Sequence, residues 1–412
     1  MTRKSPNLEF DVVIVGGGLV GASLACALGD SGLEIAVIEA VPPGDPGQPS
    51  YDDRTLALAY SSRRIFEGIG VWDSIARRSA CPIEHIHISD RGKFGFTRLH
   101  ANDSNIEALG YVAETRALGA ALYETMSGLG NVTLICPANV TGIVVYESMA
   151  TLSLEHGSKS QAINTRLVVA ADGGDSPLRQ AVGIKADKYL YDQTAVVANV
   201  TPGRDHGNVA YERFTSTGPL ALLPMTGNRC AVVWSTAHDN VDNILGWNDE
   251  TWLAELQTRF GDRLGKFSRA GKRVAYPLAL TRVSQPVVQR VSLIGNAAHT
   301  VHPVAGQGFN LGLRDVATLA QVIVDAHKAG KDIGLLDVLE SYASWRQRDN
   351  KRVASFTDGL IKMFSNENLP LTVARNLGLT VVDFFPVLKR TFVKRTSGLN
   401  GRLPRLARGL PL

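Results

Sequence analysis

The sequence predicts an α/β fold built around parallel β-strands. Three short apolar runs, at 11–15, 167–170 and 291–294, have the composition of strands buried inside a parallel sheet. Each run leads into a glycine-containing turn and then into a segment that begins a helix. The length of 412 residues suggests two domains, or one domain with a large insertion.

The composition narrows the class of protein. A hydrophobic fraction of 44% and a charged fraction of 20% are typical of a globular protein with a sizeable core. A net charge of +4, without a basic stripe interleaved with aromatics, argues against a nucleic-acid partner. No apolar run reaches the roughly 18 residues of a membrane span. Glu9 and Asp11 interrupt the order of a signal peptide, so export is not predicted.

The cysteines give no framework for disulfides or zinc, because none of them are at CxxC spacing. We expect structural thiols in a reducing cytoplasm. The four positions are Cys26, Cys81, Cys136 and Cys230.

The first glycine-rich turn has the spacing G-x-G-x-x-G, in Gly16, Gly18 and Gly21. The predicted helix 22–28 follows it, and the apolar run 35–38 predicts a second strand. The first glycine permits the tight turn, the second lets a pyrophosphate approach the backbone, and the third lets the helix pack on the strand. The helix N-terminus offers N–H groups to the phosphates.

Glu39 completes this βαβ unit at the end of the second strand. An acid at this place can accept hydrogen bonds from both ribose hydroxyls of a dinucleotide. The alternative, a glycine-rich turn in another α/β domain, leaves Glu39 unexplained. The unit does not distinguish FAD from NAD, although a glutamate here argues against a 2′-phosphate.

A second motif, D-G-x-x-S-x-x-R, runs from Asp172 to Arg179 after the strand at 167–170. Ser176 is a candidate N-cap for a helix that Pro177 opens, and Arg179 would project from its first turn. The alternative is a capped strand-to-helix turn without a ligand.

The third motif follows the strand at 291–294 and extends from Gly295 to Gly312. The residues from Leu311 onward have the period of a buried helix. We expect N–H groups near 306–310 to face a ligand, where they would stabilise negative charge.

Together, the three motifs resemble the class A flavoprotein aromatic hydroxylases, which are related to para-hydroxybenzoate hydroxylase. The resemblance covers most of the chain. In that family the third motif usually reads G-D-A-A-H, whereas this chain has Asn296 in place of the aspartate. Asparagine keeps the capacity for hydrogen bonds but removes a negative charge beside the pyrophosphate.

Further strings resemble the ubiquinone-biosynthesis hydroxylases, and most of all their 2-octaprenyl-6-methoxyphenol hydroxylase branch. They are 295–298 followed by 302–312, 52–58, and 211–215 with 218–224. The resemblance implies a polyprenyl phenol as substrate and a ubiquinone-biosynthesis protein complex as a further partner.

The resemblance also implies site residues. The cofactor would be held by Gly16, Gly18, Gly21, Glu39, Arg54, Arg116, Val140, Asp172, Asn296, Gly306, Gln307, Gly308, Phe309 and Asn310. The backbone carbonyl of Pro303 would face the substrate. His299 and His302 lack further ligands at metal spacing, so we expect structural roles and no metal site.

The implied cofactor is FAD, used with molecular oxygen and with NAD(P)H or another reductant. The implied reaction is hydroxylation of an aromatic ring through a flavin C4a-hydroperoxide, in which the cofactor carries the chemistry. The sequence does not identify the side chain that removes the phenol proton. Two alternatives stay open: a flavin-dependent reductase or dehydrogenase, and a flavin-binding structural subunit of a quinone-synthesis complex.

The predicted domains are discontinuous in sequence. Residues 1–79, 111–185 and 276–345 would form a Rossmann-like FAD-binding domain of the para-hydroxybenzoate hydroxylase type. Residues 80–110 and 186–275, with strand-like runs such as 194–200, would form a β-sheet substrate domain. Residues 346–412 would form a C-terminal helical, basic segment.

That basic segment contains no acid beyond Asp383. Lysines and arginines alternate there with leucines and phenylalanines, so residues 384–412 are expected either to lie on an anionic membrane surface or to pack on the core with solvated charges. A polyprenyl substrate favours the first interpretation, and with it a cytoplasmic protein peripheral to the inner membrane.

Overall fold

A computed structural model of the protein describes residues 8–45, 54–157, 159–301, 306–364 and 369–412. The strands are β1 (Leu8–Val15), β2 (Ile35–Ile38), β3 (Thr55–Ala59), β4 (Cys81–Ile83), β5 (His85–Asp90), β6 (Phe96–His100), β7 (Gly110–Glu114), β8 (Val132–Ile135), β9 (Ala138–Val145), β10 (Ala150–His156), β11 (Lys159–Ala170), β12 (Asp187–Thr201), β13 (Val209–Thr215), β14 (Gly218–Met225), β15 (Arg229–Ala237), β16 (Arg269–Ala270), β17 (Val274–Arg282), β18 (Val287–Val288), β19 (Val291–Leu293) and β20 (His299–Thr300). The helices are α1 (Leu19–Ala27), α2 (Tyr60–Gly68), α3 (Trp72–Arg78), α4 (Thr115–Ser127), α5 (Pro177–Ala181), α6 (Val241–Gly246), α7 (Asp249–Phe260), α8 (Gln307–Lys328), α9 (Leu336–Phe364), α10 (Leu369–Phe384) and α11 (Pro386–Thr396).

The first sheet is organised around β1, which pairs in parallel with β2 and β11. Its strand order is β18-β19-β11-β1-β2-β8, and β9 and β10 extend it beside β11. Val12 and Ile14 pack in one buried cluster with residues of α1, α4 and α8, whereas Val13 and Val15 pack in another on the opposite face. Burial on both faces explains the unbroken apolar runs. The predicted strands of this sheet are confirmed.

The second sheet has the order β20-β17-β12-β15-β14-β13-β5-β6, with β16 beside β12. Its side chains alternate between two environments. Val196, Leu220 and Trp234 pack with α6 and α7. The residues next to them in sequence, such as Val197 and Ala221, face the other way and line a cavity. This sheet accounts for the strand-like runs between the second and third motifs.

A third, three-stranded sheet has the order β3-β7-β4. Residues 186–275 supply β12 to β16, while residues 80–110 supply β5 and β6 to the second sheet and β4 to the third. The α/β fold with an added β-sheet is therefore confirmed. The domain boundaries stay a prediction.

The C-terminal residues divide into two parts. Helix α10 packs on β6 of the second sheet. The chain beyond α11 returns to the first sheet, where Leu406 and Ala407 are fully buried against α2 and α8. The end of the chain therefore contributes to the core.

Replacing Gly21 by alanine should destabilise the fold. A Cβ atom at this position would lie 1.9 Å from the carbonyl oxygen of Gly16, so the β1–α1 turn would have to move. We expect a loss of about 3 kcal/mol in the free energy of unfolding, measured by denaturant titration. Gly130→Ala is the matched control, because a Cβ there meets nothing within 4 Å. Equal stability of the two variants would contradict this account.

Candidate functional site

A cavity of about 1530 Å³ is lined by both large sheets. Pockets for drug-sized ligands typically enclose about 300–1,000 Å³. The turns after β1, β11 and β19 line one part of this cavity, and β5, β12, β13, β14 and β15 line another. Its size allows a dinucleotide and a second molecule to bind together.

The turn after β1 brings its backbone close to the neighbouring strand. Gly16 has a φ of +101°, and a Cβ there would lie 2.5 Å from the carbonyl oxygen of Ala171. The N–H of Gly17 donates to Glu39 Oε2 at 2.6 Å, and the hydroxyl of Tyr123 donates to the Gly17 carbonyl at 2.8 Å. Glu39 is thus held at the end of β2, where it lines the cavity.

The turn after β11 holds Asp172 at the cavity wall. Its Oδ2 atom accepts a hydrogen bond from Leu178 N at 3.1 Å. Its Oδ1 atom is buried, and the described residues supply it with no hydrogen bond. Ser176 Oγ accepts from Arg179 N at 2.9 Å, which confirms the predicted helix cap. Arg179 also donates to the carbonyl of Ala297 at 2.9 Å and so joins the second motif to the third.

The third motif opens helix α8 through Gly306, which is left-handed with φ +61°. Asn310 fixes this helix start. Its Oδ1 atom accepts from Ala59 N and Ser62 Oγ, both at 2.7 Å, and its Nδ2 atom donates to the carbonyls of Ala57 and Gly306 at 2.8 and 2.6 Å. Because its side chain is fully engaged within the protein, a contact of Asn310 with a ligand would involve the backbone.

These features fit the predicted FAD. Two helices, α1 and α8, begin at the cavity, and the N–H groups of a first helical turn have no partner within their own helix. Glycine at position 16 lets the β1 turn lie close to Ala171 at the cavity wall, and the Asp172 Oδ1 atom, which no described residue bonds, can accept a hydrogen bond from a hydroxyl of a sugar or ribityl chain. When bound, FAD supplies the oxidation chemistry that the side chains lack.

Most of the residues predicted to contact the cofactor line this one cavity. They are Gly16, Gly18, Glu39, Arg54, Val140, Asp172, Asn296, Gly306, Gln307, Gly308, Phe309 and Asn310. Arg54 lies over the ring of Tyr276, with 4.8 Å between its guanidinium carbon and the ring centroid. Their roles toward FAD stay predictions.

Two of the predicted residues, Gly21 and Arg116, are not among those that line the cavity. Gly21 lies where α1 packs against the β1 turn, which is the packing role assigned to the third glycine. Arg116 is not among the residues that line the cavity; its side chain is 60% exposed, and it bonds to Glu114 at 3.5 Å. Pro303 and His302 lie outside the described residues.

A profile of the family described as FAD binding domain matches residues 9–357. A ubiquinone hydroxylase, UbiL, from Rhodospirillum rubrum is 40% identical over 99% of this chain and 95% of its own length. The Escherichia coli 3-demethoxyubiquinol 3-hydroxylase is 32% identical over 95% of this chain and 100% of its own. This chain belongs to the FAD-dependent ubiquinone hydroxylase family.

A solved structure supports the fold of this ubiquinone hydroxylase. It is the p-nitrophenol 4-monooxygenase PnpA from Pseudomonas putida, which is similar with a TM-score of 0.80 and 19% identity, over 96% of this chain and 99% of that one. The predicted family, the flavin-dependent monooxygenase class and the cofactor FAD are confirmed.

Sequence reasoning missed the buried aspartate that supports the third motif of the hydroxylase. Asp315, on α8, is fully buried and accepts hydrogen bonds from Gly295 N at 3.0 Å, His299 Nε2 at 2.6 Å and Arg346 Nε at 2.7 Å. Burial opposes ionisation of Asp315, but His299 and Arg346 outweigh it and hold the pKa of this carboxyl below its usual value. The signal available in the sequence was the presence of an acidic residue among the apolar residues of α8.

A second missed group closes the far end of the cavity. Arg375 lines the cavity from α10 and forms a buried ion pair with Asp90 of β5 at 2.7 Å. Asn376 also donates to Asp90, at 3.1 Å, and accepts from Gly95 N at 2.8 Å. These contacts join the C-terminal helices to the second sheet. No sequence pattern indicates this contact, because its partners are 285 positions apart.

Asp315→Asn should weaken the fold around the flavin site. The exchange leaves the buried Arg346 without part of its counter-charge, so we expect a loss of about 3 kcal/mol in the free energy of unfolding. Because the pKa of Asp315 is lowered on folding, its stabilising effect is present near neutral pH, starts to decrease near the pKa of a free carboxyl, about 4, and is lost as the pH falls through the lower pKa of the folded state.

Denaturant unfolding between neutral and acidic pH measures both effects. The variant should lose less stability on acidification than the wild type. Asp325→Asn, on the same helix but in a surface ion pair with Arg405, is the control and should cost less than about 1 kcal/mol. A loss as small as that of the control would refute a supporting role for Asp315.

Proposed function

We propose that this protein hydroxylates the aromatic ring of a polyprenyl phenol intermediate of ubiquinone biosynthesis, with electrons from NAD(P)H and oxygen from O₂. The observation that carries the proposal is the single cavity that joins a polar, glycine-rich dinucleotide site to an apolar wall of the second sheet. The names of the Rhodospirillum rubrum and Escherichia coli relatives, a ubiquinone hydroxylase and a 3-demethoxyubiquinol 3-hydroxylase, refer to hydroxylation of compounds of the ubiquinone series.

The wall formed by the second sheet suits an apolar ring. Its cavity-facing side chains are small or aliphatic on several strands, including Ile86, Ile88, Val197, Ala221 and Leu223. Such side chains exclude water from the space beside the flavin site, which protects a reactive oxygen species and strengthens electrostatic interactions. Leucine and valine side chains of α10 extend this apolar lining toward the C-terminal helices.

The reaction can be tested on purified holoenzyme. A detergent-dispersed prenylated phenol, NAD(P)H and ¹⁸O₂ should yield a product that carries one labelled oxygen atom for each NAD(P)H consumed. Mass spectrometry and an oxygen electrode measure this ratio. NAD(P)H oxidation without labelled product would instead indicate a reductase. A protein that retains FAD but supports quinone synthesis only by its presence in an assembly would indicate a structural subunit.

A variant of Glu39 tests the role of this residue in binding FAD. Glu39→Ala should lower the affinity for FAD by roughly 10- to 100-fold, because a charged hydrogen-bonding group contributes about 1.5–3 kcal/mol. Titration of apoprotein with FAD, followed by quenching of flavin fluorescence, measures the affinity. Glu34→Ala, an exposed acid at the start of the same strand region, should bind FAD like the wild type. Equal affinities in both variants would contradict the assignment of Glu39.

We also propose a membrane-facing surface, here called the apolar ridge. It consists of the exposed residues Val373, Leu377, Val381, Phe384, Phe385, Val387 and Leu388. Their spacing along α10 is that of one helix face, while the opposite face of α10 contributes to the cavity. Arg390 and Lys394 lie on the exposed side of α11 close by in sequence. An apolar face flanked by cations suits an anionic lipid surface.

Two observations refine the membrane hypothesis for residues 384–412. None of the helices in the described ranges is long and apolar enough to cross a membrane. The last part of the segment packs on the protein, since Arg402 stacks on Trp345 at 3.8 Å and Arg405 pairs with Asp325. We therefore place surface contact on the apolar ridge, at the cytoplasmic side of the membrane. A position in a quinone-synthesis protein complex stays a prediction.

The membrane role is tested with point variants, because deletion after Asp383 would remove the buried residues Val393, Leu406 and Ala407. Phe384 and Val387 are 76% and 74% exposed, so replacing both by serine should leave folding unchanged. In flotation with anionic liposomes, this double variant should lose most of the recovery shown by the wild type. Tyr146→Ser, an exposed aromatic on the β9–β10 hairpin, is the control. Equal recovery of all three proteins would reject the proposal.

A further inference from the structure

We propose that Glu212 is the base that takes the proton from the phenolic hydroxyl of the substrate. This inference rests on the proposed function, and it names the side chain that removes the phenol proton, which the sequence does not identify. Glu212 lies on β13, in the wall of the cavity formed by the second sheet.

The alternation of side chains along β13 directs Glu212 into the cavity. Tyr211 packs on Phe260 with 5.2 Å between their ring centroids, and Arg213 donates to the Phe260 carbonyl at 2.8 Å, so both face helix α7. Neighbouring residues in a strand point to opposite faces. Glu212 therefore shares the cavity face with Phe214, which also lines the cavity.

The surroundings of Glu212 are apolar. Its register partners are Ala221 on β14 and Ile88 on β5, both of which also line the cavity. No described residue donates a hydrogen bond to its carboxylate or forms an ion pair with it, so no partner within the described ranges holds this group for a structural purpose. Burial of an ionised carboxyl group in such a wall costs free energy unless a partner, such as a bound ligand, forms a hydrogen bond with it.

The other charged side chains of the cavity belong to different elements and have other partners, and the neighbouring Tyr211 on β13 packs on Phe260. Glu39 is bonded to the N–H groups of its own βαβ unit, and Asp172 to Leu178. Arg375 is paired with Asp90, and Arg54 lies over Tyr276. On β5 and β14, the strands next to β13, the side chains that line the cavity are uncharged, and Asp90, on the same face of β5, is paired with Arg375.

The acidity of Glu212 suits a base at neutral pH. Burial among apolar groups raises the pKa of Glu212 to about 7. A base is most effective when its pKa lies near the working pH, where it is partly ionised yet basic enough to accept a proton. An ordinary exposed glutamate, with a pKa of about 4.3, would be a much weaker base.

The proton transfer involves only the phenol and the carboxylate of Glu212. The O–H bond of the phenol breaks, its proton moves to a carboxylate oxygen of Glu212, and the electron pair remains on the phenolate oxygen. That pair raises the electron density of the ring and so prepares it for the oxygen that bound FAD and O₂ would supply. Glu212 returns its proton to solvent when the product leaves. No further oxidant or reductant is required.

Glu212→Gln tests the proposal because it keeps the shape of the side chain and removes the base. Hydroxylation should fall by roughly 10²- to 10⁴-fold. In the wild type, kcat/KM should decrease as the pH falls below about 7, and this limb should disappear in the variant. Glu212→Asp should restore part of the rate. Glu250→Gln, on the exposed surface of α7, controls for the loss of one acid and should behave as the wild type.

A binding measurement separates this inference from the proposed function. The coloured probe 4-nitrophenol has different absorption bands as phenol and as phenolate. Difference spectra of the holoenzyme near pH 7, where Glu212 is partly ionised, should show more bound phenolate in the wild type than in Glu212→Gln, with unchanged FAD content. This result would support the base even if the natural substrate were of another class. Equal amounts of bound phenolate in both proteins, or an unchanged pH limb, would overturn the assignment.

Discussion

The site depends on a constraint of parallel sheets: neighbouring strands that run in one direction end at the same edge. Strands β1, β11 and β19 pair in this way, so the turns that follow them converge although they are separated by more than 270 residues of sequence. The contact between Arg179 and Ala297 and the close approach of Gly16 to Ala171 hold these turns together. A ligand that spans the edge then meets the N-termini of two helices at once.

Two acids of the protein show how surroundings determine the chemistry of one functional group. Asp315 is buried beside His299 and Arg346, which keep the pKa of its carboxyl low and make it a fixed anion beneath the third turn. Glu212 is surrounded by apolar groups, and burial raises the pKa of its carboxyl to about 7. The first acid supports the backbone near the cofactor, whereas the second has properties suited to exchanging protons.

The C-terminal residues connect the two large sheets. Helix α10 is bound to the second sheet through Asp90, and Leu406 and Ala407 fill a gap in the core of the first. The basic composition of this segment left open whether it lies on a membrane or packs on the core, and the structure packs its last part, including Leu406 and Ala407, on the core. The exposed apolar ridge lies on helices that also border the cavity.

The sequence by itself determined the parallel strands, the glycine turns, the Ser176 cap and the type of cofactor. These features depend on local backbone conformation and on short spacings, which a linear pattern records directly. Tertiary structure alone decided that Asp315 meets Arg346, that Arg375 meets Asp90 and that Glu212 faces the cavity. Their partners are distant in sequence, and the energy of a charged group depends on the groups that folding places around it.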